Sequence, residues 1–146
     1  MVLHLIKLSV GPASIDDLEA HQAWQRAEAV RAGRDPAPFH TTRMLPKRHA
    51  EIVGRGSIYW VIKGTLSCRQ AVTAIEPFTA SDGVGRCRIV LDARLVPVAP
   101  RSYRPFQGWR YLQAKDAPHD LDRSAAGDLA EMPETLRREL VSLGLL

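Results

Sequence analysis

The feature that most constrains the fold is the stretch SIYWVIKGTLSCRQAVTAIEPF, which spans residues 57–78. Apolar and β-branched residues fill its first part, Gly64 interrupts it, and a longer extended run continues as far as Pro77. Two such runs around one glycine predict an antiparallel hairpin, since glycine accepts the positive φ of a tight turn. A β-sheet built around this hairpin is therefore the expected framework.

Shorter extended runs on both sides of the hairpin predict further strands. Residues 93–105 contain three prolines, so we expect an edge strand or an extended loop there. Pro46 and Pro77 are expected to end strands, because proline donates no hydrogen bond to a neighbouring strand. The other predicted strands are residues 2–8, 39–45, 86–92 and 108–113.

Two segments predict helices. Residues 14–33 begin with Ser14 and Asp17, which have the spacing of a capping box. Polar Gln22 is expected to face water on this helix. Residues 133–144 predict a second helix with proline at its first position and glycine at its end. The apolar or small positions expected to face the core of the first helix are Leu18, Ala20, Ala23, Trp24, Ala27 and Val30.

The order of these elements indicates the fold class. A strand and a helix precede five or six strands, most of them joined by hairpins, and a helix follows. We therefore expect an α+β protein, built as a small antiparallel, partly open β-barrel with an N-terminal strand–helix unit and a C-terminal helix. The length fits a single domain over residues 1–146, with the barrel core in 1–115 and an acidic tail and helix in 116–146.

The composition excludes several classes of protein. With 45% hydrophobic and 25% charged residues, and no run of about 18 apolar residues, the chain predicts a soluble protein with no membrane partner. Cys68 and Cys87 have no CxxC spacing, which disfavours zinc and disulfide roles and favours two core residues on neighbouring strands in a reducing cytoplasm. The five histidines are scattered, so we expect neither a metal nor a cofactor.

Charge is segregated along the chain. Residues 40–115 contain thirteen Lys and Arg but only four Asp and Glu, whereas residues 116–146 contain three and seven. At least nine bases of the middle region lack an acidic partner within it. A positively charged surface of this kind attracts anions, including nucleic acid.

Four motifs resemble a family of short bacterial proteins that is catalogued as a domain of unknown function. The motifs are HTTRMLPKR (40–48), GSIYWVIKG (56–64), DGVGRCR (82–88) and RPFQGWRYL (104–112). This resemblance implies no activity.

The opening HLIKLSVGPASIDDL (4–18), followed by a barrel hairpin, resembles EVE domains, which group with PUA-like and ASCH domains. That resemblance implies a PUA-like barrel that binds RNA or modified bases. The chain departs from EVE domains because no tryptophan stands beside Lys7 of the first strand, which leaves a base pocket at that position in doubt.

Candidate binding residues follow from the basic and aromatic side chains near strand ends. Bases are suited to phosphate, aromatic rings to stacking on a nucleobase, and an amide to a base edge. In the strand predicted over residues 57–64 we expect Tyr59 to face outward with Lys63 and Arg69. Ile58, Trp60 and Ile62 of the same strand are expected to face the core. The candidates for phosphate are Arg43, Lys47, Arg48, Lys63, Arg69, Arg88 and Arg110, those for stacking are Tyr59 and Trp109, and the candidate for a base edge is Gln107.

Three functions remain open from the sequence. The first is a non-catalytic domain that recognises RNA, a nucleotide or a modified base. The second is an enzyme on a small anionic or nucleotide substrate, with His40 as acid/base and Arg43 or Arg88 as an anion clamp. The third is a protein–protein interaction module, in which the basic middle docks an acidic partner or a second copy in a homodimer.

Overall fold

The computed structural model describes residues 2–121. One α-helix and seven strands form the described part, with short 3-10 turns at His49–Glu51 and Ala114–Asp116. The predicted C-terminal helix lies outside the described residues. The helix is α1 (Ile15–Arg31), and the strands are β1 (Leu3–Ser9), β2 (Phe39–Thr42), β3 (Ser57–Ile62), β4 (Thr65–Thr79), β5 (Gly85–Leu91), β6 (Val96–Ser102) and β7 (Trp109–Gln113).

The predicted hairpin is confirmed. Strands β3 and β4 pair antiparallel, and Lys63 and Gly64 turn between them with φ values of 48° and 80°, which suits a two-residue turn. The expected end at Pro77 is wrong, because β4 continues to Thr79. Pro77 lies in the half of β4 that pairs with β5 alone among the described strands, where a residue without an N–H is tolerated.

The strands form one mixed sheet in the order β2-β5-β4-β3-β1-β7, and β6 pairs with the first half of β4. The expectation of a purely antiparallel sheet is wrong, since β1 runs parallel to β3. Helix α1 and the segment after it make the long connection that a parallel pair requires. Within the described residues the sheet is not closed. β2 and β7 are the edge strands at the two ends of this order, and β6 pairs with β4 alone among the described strands.

The two edges nevertheless meet through side chains. Trp109 of β7 donates its indole N–H to the carbonyl of Met44, just after β2, at 2.8 Å. The backbone N–H of Arg48 donates to the Tyr111 hydroxyl at 3.1 Å. Residues 43–48, hereafter the bridging segment, thus connect the edges without a strand ladder, and the sheet curls around its inner face.

Apolar side chains occupy both faces of the sheet. The inner face carries the larger core, to which Leu5, Trp60 and Ile89 belong. A second core, which includes Ile6 and Tyr59, lies on the opposite face of β1, β3 and β7. Every residue of β3 is therefore buried, and the expectation that Tyr59 faces outward is wrong, since its side chain is only 4% exposed.

The cysteine prediction is confirmed. Cys68 of β4 and Cys87 of β5 are both buried, and neither forms a disulfide. Burial also raises the pKa of the Cys87 thiol. Both behave as small core residues on paired strands.

Helix α1 begins as predicted but buries a different face. The Ser14 hydroxyl accepts from the backbone N–H of Asp17 at 3.1 Å, which caps the helix. Leu18 and Gln22 are buried, whereas Trp24 is 62% exposed. The prediction for Gln22 is wrong because a buried partner on β4, Gln70, satisfies its amide through two hydrogen bonds. In the described part of the chain, no helix is long and apolar enough to cross a membrane.

Candidate functional site

A lysine on the inner face of β1 lies between two tryptophans of the neighbouring strands. Lys7 is in register with Trp60 of β3 and with Trp109 of β7, so the three side chains project to the same side of the sheet. Trp60 is 5% exposed, whereas Lys7 and Trp109 are half-buried and accessible. His40 of β2 contacts Trp60 and completes the group, hereafter the Lys7 cluster.

The His40 ring is held in a neutral state. It meets the Trp60 indole edge to face, with 5.7 Å between the ring centroids. Burial, and then the charge of Lys7, lower the pKa of His40 to about 4. At neutral pH the imidazole therefore offers one hydrogen-bond donor and one acceptor. Within residues 2–121 no hydrogen bond to this ring is present.

Lys7 carries a charge that no carboxylate of residues 2–121 neutralises. Burial lowers the pKa of its ammonium, and no carboxylate among residues 2–121 forms an ion pair with it. A partly buried cation without a counter-charge costs free energy, and an anionic ligand offsets this cost. The position is thus suited to a phosphate or carboxylate group.

The side chain of Trp109, in the motif RPFQGWRYL, points toward the inner face of the sheet. Its indole faces the inner core, donates to the Met44 carbonyl, and lies edge to face with Tyr111 at 4.9 Å between centroids. One part of the ring stays accessible, since the side chain is only half-buried. Trp109 is therefore a fixed wall of the Lys7 cluster, and it also ties the sheet edges together.

The bridging segment carries three of the predicted phosphate ligands. Arg48 is engaged within the protein, because its guanidinium makes two hydrogen bonds to Glu51 at 2.6 and 2.8 Å. This contact raises the pKa of Arg48 and lowers that of Glu51. Arg43 and Lys47 are exposed, and neither forms an ion pair within residues 2–121. They are the bases of this segment that remain available to a ligand.

A second group of predicted residues lies on the opposite side of the sheet. Arg69 shares a face with Tyr59, its partner in register, and binds Asp120 through two hydrogen bonds of 2.8 Å. This pairing raises the pKa of Arg69, and the residue serves to hold the 117–121 segment. Arg110 lies on the same side, in register with Ile6, and its guanidinium is 4.8 Å from the ring centroid of Phe106. Lys63 and Gln107 lie outside the strands, in the exposed turn before β4 and in the exposed loop before β7.

Arg88 of β5 projects from the face opposite the Lys7 cluster. In the antiparallel β2–β5 pair, His40 is opposite Ile89 and Thr41 is opposite Arg88, so His40 and Arg88 project from opposite faces of the sheet. The expectation that these two side chains form one acid/base and clamp site is therefore wrong in its geometry. The basic residues singled out in the sequence therefore do not all project from one face of the sheet.

The sequence reasoning missed two important members of the cluster. Lys7 interrupts the apolar inner face that Leu3 and Leu5 begin, and this break in the alternation was a usable signal. Trp60 was correctly assigned to the core, but its contact with His40 depends on the curl of the sheet. A groove of about 340 Å³ between α1 and the segment 34–39 contains none of the ten predicted binding residues. Within residues 2–121 no group of His, Cys, Asp or Glu is arranged to hold a metal ion.

Comparison with protein families gives one match, to the model described as a protein of unknown function (DUF1489), over residues 5–146. The chain belongs to the DUF1489 family. The DUF1489 match includes all four residues of the Lys7 cluster. Comparisons with curated proteins and with solved structures gave no match.

Proposed function

We propose that this DUF1489 protein is a non-catalytic domain that recognises nucleotides, free or within RNA, at the Lys7 cluster. One observation carries the proposal. Lys7 is half-buried between two in-register indoles and is without a carboxylate partner in residues 2–121. An anion bound there contacts the Lys7 ammonium, and an indole ring lies on each neighbouring strand. A nucleotide combines these two chemistries, because it carries a phosphate and a flat base.

Each member of the cluster has a role in this proposal. The Lys7 ammonium binds phosphate oxygens with charge-assisted hydrogen bonds. The accessible part of the Trp109 ring stacks on the base, while the buried Trp60 ring forms the floor of the cluster. Neutral His40 offers a donor and an acceptor to the base edge, which distinguishes one base from another.

The proposal extends to the rest of the basic region. Exposed Arg43 and Lys47 flank the cluster in the bridging segment, where they attract the ligand before it binds. The curl that the Trp109–Met44 hydrogen bond maintains supports a PUA-like barrel. Two buried, unbridged cysteines support a cytoplasmic location.

The test is nucleotide binding by the wild-type protein and two variants. Calorimetric titration with each of the four nucleoside 5′-monophosphates and with an oligouridylate should give saturable binding. Lys7→Met should weaken affinity about 10- to 100-fold, the value of one hydrogen bond to a charged group. Lys115→Met is the matched control, since this lysine is exposed on the 3-10 turn after β7.

Thermal melting must show that both variants fold. Equal affinity of the wild type and the folded Lys7→Met variant would refute the assignment of the site. An absence of binding by the wild type to every nucleotide and to the oligouridylate would refute the function itself.

A further inference from the structure

The Arg88 guanidinium is held between two phenyl rings on the solvent face of the sheet. It lies 4.8 Å from the ring centroid of Phe39 and 5.0 Å from that of Phe78. Phe39 belongs to β2 and is 47% exposed, whereas Phe78 belongs to β4. The two rings fix the plane of the guanidinium by cation–π contact.

This guanidinium makes no polar contact within the described part of the chain. Its Nε atom is buried and without a hydrogen-bond partner, and no ion pair engages its terminal nitrogens. Glu76 of β4 is directly opposite Arg88 in register, yet the two side chains do not pair. By contrast, Arg86 on the same face of β5 does pair with a carboxylate, that of Asp82 at 2.8 Å. The Arg88 guanidinium, hereafter the Arg88 fork, is thus held in a fixed orientation and has no hydrogen-bond acceptor among residues 2–121.

The surroundings of Arg88 suit a phosphate. The Thr41 side chain is exposed beside it, as its in-register partner on β2, and can donate a hydrogen bond. Arg43 is exposed two residues further along the chain. An arginine fork binds two phosphate oxygens at once, and a fixed plane reduces the entropy lost on binding.

Strand β2 connects this fork to the Lys7 cluster. Because β2 is an edge strand, consecutive residues reach the two sides of one exposed edge: His40 faces the cluster and Thr41 faces the fork. A ligand that passes over the edge contacts both sites. A mononucleotide brings one phosphate, whereas a polynucleotide chain brings further phosphates for the second site.

We propose that the natural ligand is a single-stranded nucleic acid that passes over β2, with one base at the Lys7 cluster and a neighbouring phosphodiester on Arg88 and Thr41. This proposal rests on the proposed function and adds the class of ligand. A duplex cannot supply it, since its bases are paired and stacked and do not reach the cluster.

The test compares a mononucleotide with an oligonucleotide. The probes are uridine 5′-monophosphate and oligouridylates and oligothymidylates of about eight nucleotides, within the usual range of site sizes. Arg88→Gln should weaken oligonucleotide binding about tenfold and leave mononucleotide binding unchanged. It should also reduce the slope of log affinity against log salt by about 0.7, the contribution of one phosphate contact on a single strand. Arg94→Gln, which removes an exposed charge after β5, is the matched control.

A second variant of the same surface should strengthen oligonucleotide binding instead of weakening it. Glu76→Gln removes the carboxylate that faces Arg88, so it should strengthen oligonucleotide binding about two- to fivefold. This variant keeps the Phe39–Arg88–Phe78 contact, so it remains informative if Arg88→Gln unfolds.

Different results separate the two proposals. If a folded Arg88→Gln variant, or Glu76→Gln, binds the oligonucleotide with wild-type affinity, the edge path is wrong. Equal affinity of the wild type for a duplex and for the single strand would also overturn it. Weakened mononucleotide binding in Lys7→Met, together with wild-type oligonucleotide affinity in Arg88→Gln, would remove the edge path and leave the proposed function standing. Unchanged binding of both ligands in Lys7→Met would refute the Lys7 cluster as the site.

Discussion

Replacing Gln70 should test the buried amide network that positions Trp60. Gln70 is fully buried, and its side-chain oxygen accepts from the Trp60 indole at 2.9 Å and from the Gln22 amide at 3.0 Å. Its amide nitrogen donates to the Gln22 side-chain oxygen at 2.8 Å and to the Asp92 carbonyl at 2.9 Å. All four hydrogen-bonding positions of the amide are therefore filled, and the network joins α1 to β3 and β4.

The cost of Gln70→Leu follows from the groups it leaves without partners. The Trp60 N–H becomes a buried, unsatisfied donor, which costs about 1–3 kcal/mol. Gln22 loses two hydrogen bonds, and because it borders the groove beside α1, water replaces part of them and the cost is about 1–2 kcal/mol. The leucine side chain offsets about 1 kcal/mol through apolar burial. The expected loss of unfolding free energy is about 3 kcal/mol, or about 9 °C in Tm for a domain of this size.

The assay is urea unfolding, monitored by circular dichroism, of the wild type, Gln70→Leu, Gln22→Leu and the double variant. The double variant also removes the unsatisfied amide of Gln22, so its destabilisation should be smaller than the sum of the single ones by about 1–2 kcal/mol. A loss below about 1 kcal/mol for Gln70→Leu, together with additive single effects, would refute the network as a stabilising unit.

Three further predictions concern the sheet and its edges. Gly56→Ala should destabilise the protein strongly, because a Cβ there collides with the Leu3 carbonyl, whereas Gly85→Ala, with open space around it, should melt close to the wild type in calorimetry. Trp109→Phe should cost about 1–2 kcal/mol in urea unfolding, since it loses the hydrogen bond between the sheet edges; an unchanged midpoint would contradict this. The pKa of His40 is about 4 in the folded protein against 6.5 normally, so the unfolded state binds the proton first and unfolding free energy should fall as the pH drops from about 6.5 to 4. His40→Gln should lessen that fall by about 1 kcal/mol, well under the full shift because the ring stays partly solvated.

Local pattern predicted the hairpin, the capped start of α1 and the strand β5. These features depend on neighbours in the chain: the glycine after Lys63, the Ser14 cap, and the apolar period of two. The pattern failed where a distant partner decides the outcome. Gln22 is buried because Gln70 is present 48 residues away, and Tyr59 is buried because a second core covers its face.

The candidate site was only partly predictable for the same reason. Counting charges predicted a basic middle region, but most of these bases point in directions that depend on strand order. Arg69 is neutralised by Asp120, 51 positions later in the chain. The break that Lys7 makes in the apolar alternation of β1 is visible in the sequence, but its two tryptophan neighbours follow only from the position of β1 between β3 and β7. The parallel pairing of β1 with β3 has no local signature.

The most direct test of the Lys7 cluster as a nucleotide site is to follow the indole N–H resonances of the three tryptophans by NMR during titration with an oligouridylate. Single Trp→Phe variants assign the resonances. Trp60 and Trp109 lie in the cluster, whereas Trp24 is exposed on α1. We expect saturable shifts for Trp60 and Trp109, no shift for Trp24, and loss of the shifts in Lys7→Met. Binding that shifts Trp24 alone, or leaves all three resonances in place, would contradict the account.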